Sequence, residues 1–301
     1  MGAAAPGRIR QPDPHRPRAG AHRDVLSAGA LRPRHPLRRV AAHRAHAAGA
    51  GRAVSLLEGH GITKSFGGLA ALAGVDFAVG EGEVVGLIGP NGAGKTTLIN
   101  AITGIHRADQ GRFTFDGQDL TPLPPERIAR LGIARTFQIP QPFHTLSVLE
   151  HVMVGVAFGR RGTPMKAAEA EARAVLEFVG LGDKAGVEPQ SLTIVELRRL
   201  ELARALGSGA RLLLLDEIHA GLTPRELEDA ITMIGKLRER GITILMVEHL
   251  MRIIMRVCER IIVLDFGRNI AAGTPEEIAR DPEVIRAYLG GEPARQGATG
   301  A

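Results

Sequence analysis

Residues 83–96 read EVVGLIGPNGAGKT, and this short run confines the fold more tightly than any other part of the chain. The first seven residues are almost wholly apolar, as in a strand buried on both faces of a parallel sheet. A turn with glycine at 89, 92 and 94 follows, and helical spacing then continues through residues 94–103. The pattern G-x-x-x-x-G-K-[ST] between a strand and a helix predicts a phosphate-binding loop. Its glycines let backbone N–H groups close on phosphate oxygens. The helix adds the partial positive charge of its N-terminus. The candidate contacts are Gly89, Pro90, Asn91, Gly92, Ala93, Gly94, Lys95, Thr96 and Thr97. Lys95 can reach the β- and γ-phosphates of a nucleotide such as ATP, and the Thr96 hydroxyl can ligate Mg²⁺.

Two further apolar runs, 211-RLLLLDE-217 and 242-ITILMVEH-249, predict companion strands. Between them, Thr223, Pro224 and Glu226 compose a capping box with proline at the first helical position. Gly241 can end that helix. Alternating strands and helices imply an α/β core with a parallel sheet. Residues 146–205 hold no strong strand run, and 166–180 read as helix, so a helical insertion is expected there. Asp216 closes its strand where an Mg²⁺ carboxylate belongs, and a buried carboxylate needs a partner, which Mg²⁺ would supply. Glu217 is then placed to act as general base toward an attacking water. His249 ends the next strand, where it can hydrogen-bond a γ-phosphate and orient the water.

Composition removes other classes. The chain's net charge of +6 is misleading. Residues 1–53 carry 11 Arg, no Lys and two Asp, a net +9 that leaves −3 for residues 54–301. The portion expected to fold is therefore mildly acidic, and no nucleic-acid partner is indicated. Trp is absent and Tyr288 is the only tyrosine, which argues against an aromatic platform for single strands. The one cysteine, Cys258, excludes a disulfide framework and reads as a small buried residue. No apolar run approaches the ~18 residues of a membrane helix. Residues 1–53 lack aromatics and any helical or strand period, so they are expected to be disordered, or upstream of a true start near Val54 or Leu56. Residues 291–301 read as a flexible tail.

Gly89–Thr96, Gln138, Asp216–Glu217 and His249, in that order, resemble the ATP-binding subunits of ABC transporters. The segments 65-SFGGLAAL-72, 135-RTFQ-138, 220-AGLTPRE-226 and 273-GTPEEIARDPEVIRAYLG-290 are similar to the larger ATPase subunit of branched-chain amino-acid importers. This resemblance implies a P-loop NTPase domain over 54–290, with a RecA-like core, an antiparallel β subdomain and a helical subdomain at about 140–205. It implies a dimer, with the larger-subunit likeness favouring a heterodimer. Two membrane permease subunits, an extracytoplasmic solute-binding protein and a place on the cytoplasmic face of the membrane are implied as well. Phe66 matches the aromatic that packs on adenine. Gln138 would ligate Mg²⁺ or the lytic water and relay its state to the permease.

The family's LSGGQ signature falls here on Leu192, Thr193, Ile194, Val195 and Glu196. Thr193 keeps a hydroxyl, and Thr193 with Glu196 fits a capping box. Both glycines are replaced by β-branched residues, which threaten close backbone approach to the partner's ATP. Ile218 and His219 stand where the family commonly has a Pro after the acidic pair. The expected function is ATP hydrolysis that energises amino-acid uptake. The alternatives are a soluble ABC-type ATPase, disfavoured by a single phosphate loop and no heptad run, and a regulatory subunit with weak hydrolysis, suggested only by the altered signature.

Overall fold

The computed structural model describes residues 55–137, 140–143, 145–216 and 223–289. Gln138, Glu217, residues 218–222, the extension up to residue 54 and the tail from 290 lie outside the described residues. Strands β1 (Ser55–Phe66) and β2 (Leu69–Gly80) form an antiparallel hairpin. β3 (Val84–Ile88) enters the glycine-rich turn, and helix α1 (Lys95–Ile102) leaves it. Next come β4 (Gln110–Phe115), β5 (Gln118–Asp119), α2 (Pro125–Arg130) and β6 (Ile133–Arg135). Three helices follow: α3 (Val148–Phe158), α4 (Met165–Val179) and α5 (Ile194–Gly207). The chain then returns through β7 (Leu212–Asp216), α6 (Pro224–Glu239), β8 (Thr243–Val247) and α7 (Met251–Val257). It finishes with the hairpin β9 (Arg260–Asp265) and β10 (Arg268–Gly273), then α8 (Pro275–Arg280) and α9 (Pro282–Leu289).

Two sheets result. The smaller is antiparallel, in the order β2-β1-β4-β5. The larger runs β10-β9-β3-β8-β7-β6, with β10 antiparallel at one edge and the other five strands parallel. β3, β7 and β8 are buried along their whole length, which accounts for runs with no polar alternation. Each fully buried aliphatic side chain contributes roughly 1.5–3 kcal/mol relative to an exposed one.

Side-chain alternation divides the large sheet into two faces. Val85, Leu87, Leu212, Leu214, Leu245 and Val247 pack against α1 and the antiparallel sheet. Val84, Ile88, Leu213, Leu215, Ile244 and Met246 face the other way, in one core with α3, α4, α5 and α7. The three helices α3, α4 and α5 pack on one another. α3 and α5 approach closely at Gly155, where a Cβ would lie 2.6 Å from the Arg204 carbonyl oxygen. The Arg240 guanidinium, just past α6, stacks 3.5 Å from the centroid of the Phe178 ring on α4. Cys258 is buried as expected, and burial pushes its thiol pKa up to about 12. Among the described residues, no helix is long and apolar enough to cross a membrane.

Candidate functional site

The predicted site elements converge because the parallel strands end in register. Val247 on β8 pairs with both Leu87 on β3 and Asp216 on β7. The glycine-rich turn, the acidic strand end and the segment carrying His249 therefore leave the sheet at one edge, where α/β folds bind ligands.

The turn is shaped by backbone constraints that only glycine meets. Gly94 has φ 101°, and a Cβ there would lie 2.5 Å from the Ala71 carbonyl oxygen. Gly89, at φ 152°, would bring a Cβ within 2.1 Å of the Leu264 carbonyl oxygen. The Lys95 ammonium is buried and donates to the carbonyl oxygens of Gly89 (2.7 Å) and Pro90 (2.9 Å). Ala93 is buried, whereas Asn91, Gly92 and Thr96 are exposed and Pro90 and Thr97 half-buried. α1 begins at Gly94 with no side-chain cap and no acidic residue in its first turn. Helices α3, α5, α6 and α8 all start with capping boxes, on Ser147, Thr193, Thr223 and Thr274. A helix start without a side-chain cap or an acidic first turn suits an anion through its N–H groups and dipole.

Asp216 is nearly buried, and a charge there requires compensation. Mg²⁺ is the partner expected from the sequence, and the fold adds a protein cation beside this carboxyl. The Arg135 guanidinium donates from Nη2 to Asp216 Oδ2 at 2.6 Å and from Nη1 to Asn100 Oδ1 on α1 at 2.5 Å. Alternation brings these groups together. Arg135 shares a sheet face with Ile133, and Asp216 shares it with Leu212 and Leu214, the face that packs on α1. Arg135 opens the segment RTFQ, yet nothing in the sequence marks it as the partner of a residue 81 positions away.

Phe66 ends β1 with its ring half exposed. His106 meets it edge-on at 5.2 Å between centroids, and the Lys64 ammonium lies 5.4 Å from its centre. Lys64 is held by Asp109 at 2.8 Å. His249 is exposed two residues beyond β8, and Glu248 before it is buried. The Tyr288 hydroxyl on α9 faces the backbone N–H of Gly89, and burial raises its pKa above the ordinary phenol value.

The signature-equivalent residues form the N-terminus of α5. Thr193 accepts the N–H of Glu196 at 3.3 Å, and Glu196 accepts the N–H of Thr193 at 2.9 Å. Lys184 also donates to Glu196 at 2.5 Å. These contacts hold the Glu196 carboxyl below its usual range, Lys184 first and the Thr193 N–H next. The Ile194 side chain is exposed at the helix tip and Val195 half-buried.

Residues 72–220 match the sequence profile of the ABC transporter family. The chain is 40% identical over 249 residues to the high-affinity branched-chain amino acid transport ATP-binding protein BraF of Pseudomonas aeruginosa, covering 78% of this chain and 98% of that protein. The chain belongs to the ATP-binding subunits of ABC transporters. These are ATPases that drive transport, and the cassette binds nucleotide. A second profile, that of the branched-chain amino acid ATP-binding cassette transporters, matches residues 268–294. The ABC cassette here is also 37% identical over 239 residues to the lipopolysaccharide export system ATP-binding protein LptB of Haemophilus influenzae, covering 79% of this chain and 98% of that protein. A crystal structure of the ADP conformation of an ABC transporter's ATP-binding cassette superposes with a TM-score of 0.71 at 32% identity, covering 79% of this chain and 99% of that one.

Proposed function

We propose that the chain is the ATP-hydrolysing subunit of an importer for branched-chain or related amino acids, at the cytoplasmic face of the membrane. The observation that carries this reading is the match of residues 268–294 to the branched-chain profile, at the end of a chain 40% identical to BraF. The cassette alone does not select the solute, since LptB is 37% identical. The partners are a second ATP-binding subunit, making a heterodimer, two permease subunits and, through them, an extracytoplasmic solute-binding protein.

In this reading Gly89–Thr97 cradle the phosphates of ATP, supported by the uncapped start of α1. Lys95 turns from its loop carbonyls to the β- and γ-phosphates. Phe66 offers its exposed face to adenine. Thr96, Gln138 and Asp216 supply the oxygen donors that suit Mg²⁺, a hard cation. When bound, Mg²⁺ offsets phosphate charge during phosphoryl transfer. Glu217 takes the proton of the attacking water, and His249 donates to the γ-phosphate. Thr193–Glu196 close over the ATP held by the partner subunit.

The test is uptake of radiolabelled leucine, isoleucine and valine by cells expressing the chain with its permeases, second ATPase and binding protein, against the same cells carrying Lys95→Ala. Uptake that disappears with K95A supports the proposal. Uptake of none of the three alongside intact ATP turnover in the purified complex overturns the choice of solute.

A further inference from the structure

The geometry points to Arg135 as a positioning residue that serves as a resident cation for Asp216 whenever divalent cation is absent. This inference rests on the assignment of Asp216 to the Mg²⁺ site. The two side chains are about 10% and 8% exposed, so their charges face each other out of bulk water. Arg135 gives Nη2 to Asp216 and Nη1 to Asn100, five residues along α1 from Lys95. Its Nε is buried with no hydrogen-bond partner, so these two contacts orient the guanidinium without a fully satisfied network around it. Among the described residues, Arg135 reaches Oδ2 of Asp216 and none donates to Oδ1.

Two consequences follow. With the guanidinium in place, the Asp216 carboxyl is fixed in orientation before nucleotide arrives. Its negative charge is also partly offset, so it repels an incoming γ-phosphate less than a lone carboxylate would. Without Arg135, the buried carboxyl would lose this compensating charge, and a bound divalent cation would matter more to it. Arg135 therefore sets how strongly nucleotide binding depends on Mg²⁺.

The measurement is the dissociation constant of the full-length chain for a fluorescent trinitrophenyl-ATP, in EDTA and in Mg²⁺. The quantity read is the ratio of the two. Arg135→Met is expected to raise that ratio about tenfold or more, because an unpaired buried charge is costly. R135K, which keeps the charge but loses the two-pronged donor, is expected to raise the ratio less than R135M does, by about threefold at most. Asp216→Asn is expected to lower the ratio, and R135M/D216N to fall back toward D216N alone. A ratio unchanged in R135M while D216N lowers it overturns the role of Arg135 and leaves the Asp216 assignment standing. A ratio unchanged in D216N overturns the Asp216 assignment itself. Should R135M not fold, R135M/D216N removes both charges and must fold if pairing is what Arg135 supplies; a double variant that also fails to fold overturns the inference.

Discussion

The carboxylate of Glu201, on α5, accepts the backbone N–H of Gln141, sixty residues earlier in the chain, at 3.4 Å. Its other oxygen accepts the N–H of Phe137 at 3.3 Å. One side chain of the signature-bearing helix thus holds the backbone on both sides of Gln138. Glu201→Ala leaves both N–H groups without this acceptor and is expected to cost about 1–3 kcal/mol. E201Q keeps one amide oxygen and is expected to lose less. Urea denaturation of the three proteins checks this; equal midpoints for E201A and wild type would remove Glu201 from the support of this segment.

His151 on α3 is buried and supports the same segment. Its Nδ1 lies 2.7 Å from the Ser147 carbonyl oxygen, which only accepts, and its Nε2 takes the N–H of Phe143 at 2.7 Å. This pair of contacts specifies the neutral Nδ1–H tautomer. Burial depresses its pKa below 6.5 in the fold. The unfolded chain therefore takes up this proton at a higher pH than the folded chain does. Stability from this group is complete above pH 6.5 and declines as pH falls from there through the lower folded value. Melting temperatures of wild type and His151→Gln between pH 8 and pH 5 should converge toward the acid end. A constant gap across that range would contradict the assigned tautomer.

Glu217→Gln is expected to bind ATP yet lose turnover by roughly 10²–10⁴-fold, the usual contribution of a general base. Nucleotide retention on gel filtration and phosphate release in the assembled complex measure the two separately. Full hydrolysis in this variant would assign the base to another group.

Replacing Ile194–Val195 with Gly-Gly is expected to speed hydrolysis at the partner's site, since in the proposed assembly the branched side chains threaten close backbone approach to phosphate. Up to about 3 kcal/mol of transition-state stabilisation is available from one such donor. Turnover should be compared with the partner's own catalytic base intact and disabled. No gain at the partner's site would mean that Thr193–Glu196 already function as a complete signature. Thr193→Ala, by contrast, removes a cap and is expected to cost about 1 kcal/mol of stability.

Much of the fold was legible because its signals are local. The strands Val84–Ile88, Leu212–Asp216 and Thr243–Val247 lie inside the apolar runs because unbroken aliphatic sequence suits a sheet covered on both faces. The boxes at Thr193 and Thr223 form as read, since a cap needs only residues three apart. Gly94 was legible as a glycine-rich turn, but the Ala71 carbonyl that forbids any other residue there was not.

The sequence by itself determined the strand–loop–helix chemistry of residues 83–103, the capped helices and the α/β class. Each of these depends on neighbours within a few positions along the chain. Only the tertiary structure decided that Asp216 is held by Arg135, that Phe137 and Gln141 are held by Glu201, and that His151 is neutral. Those contacts join residues through strand register and helix packing. A buried charge or donor is satisfied by whatever group the fold brings within about 3 Å, and sequence distance carries no record of that.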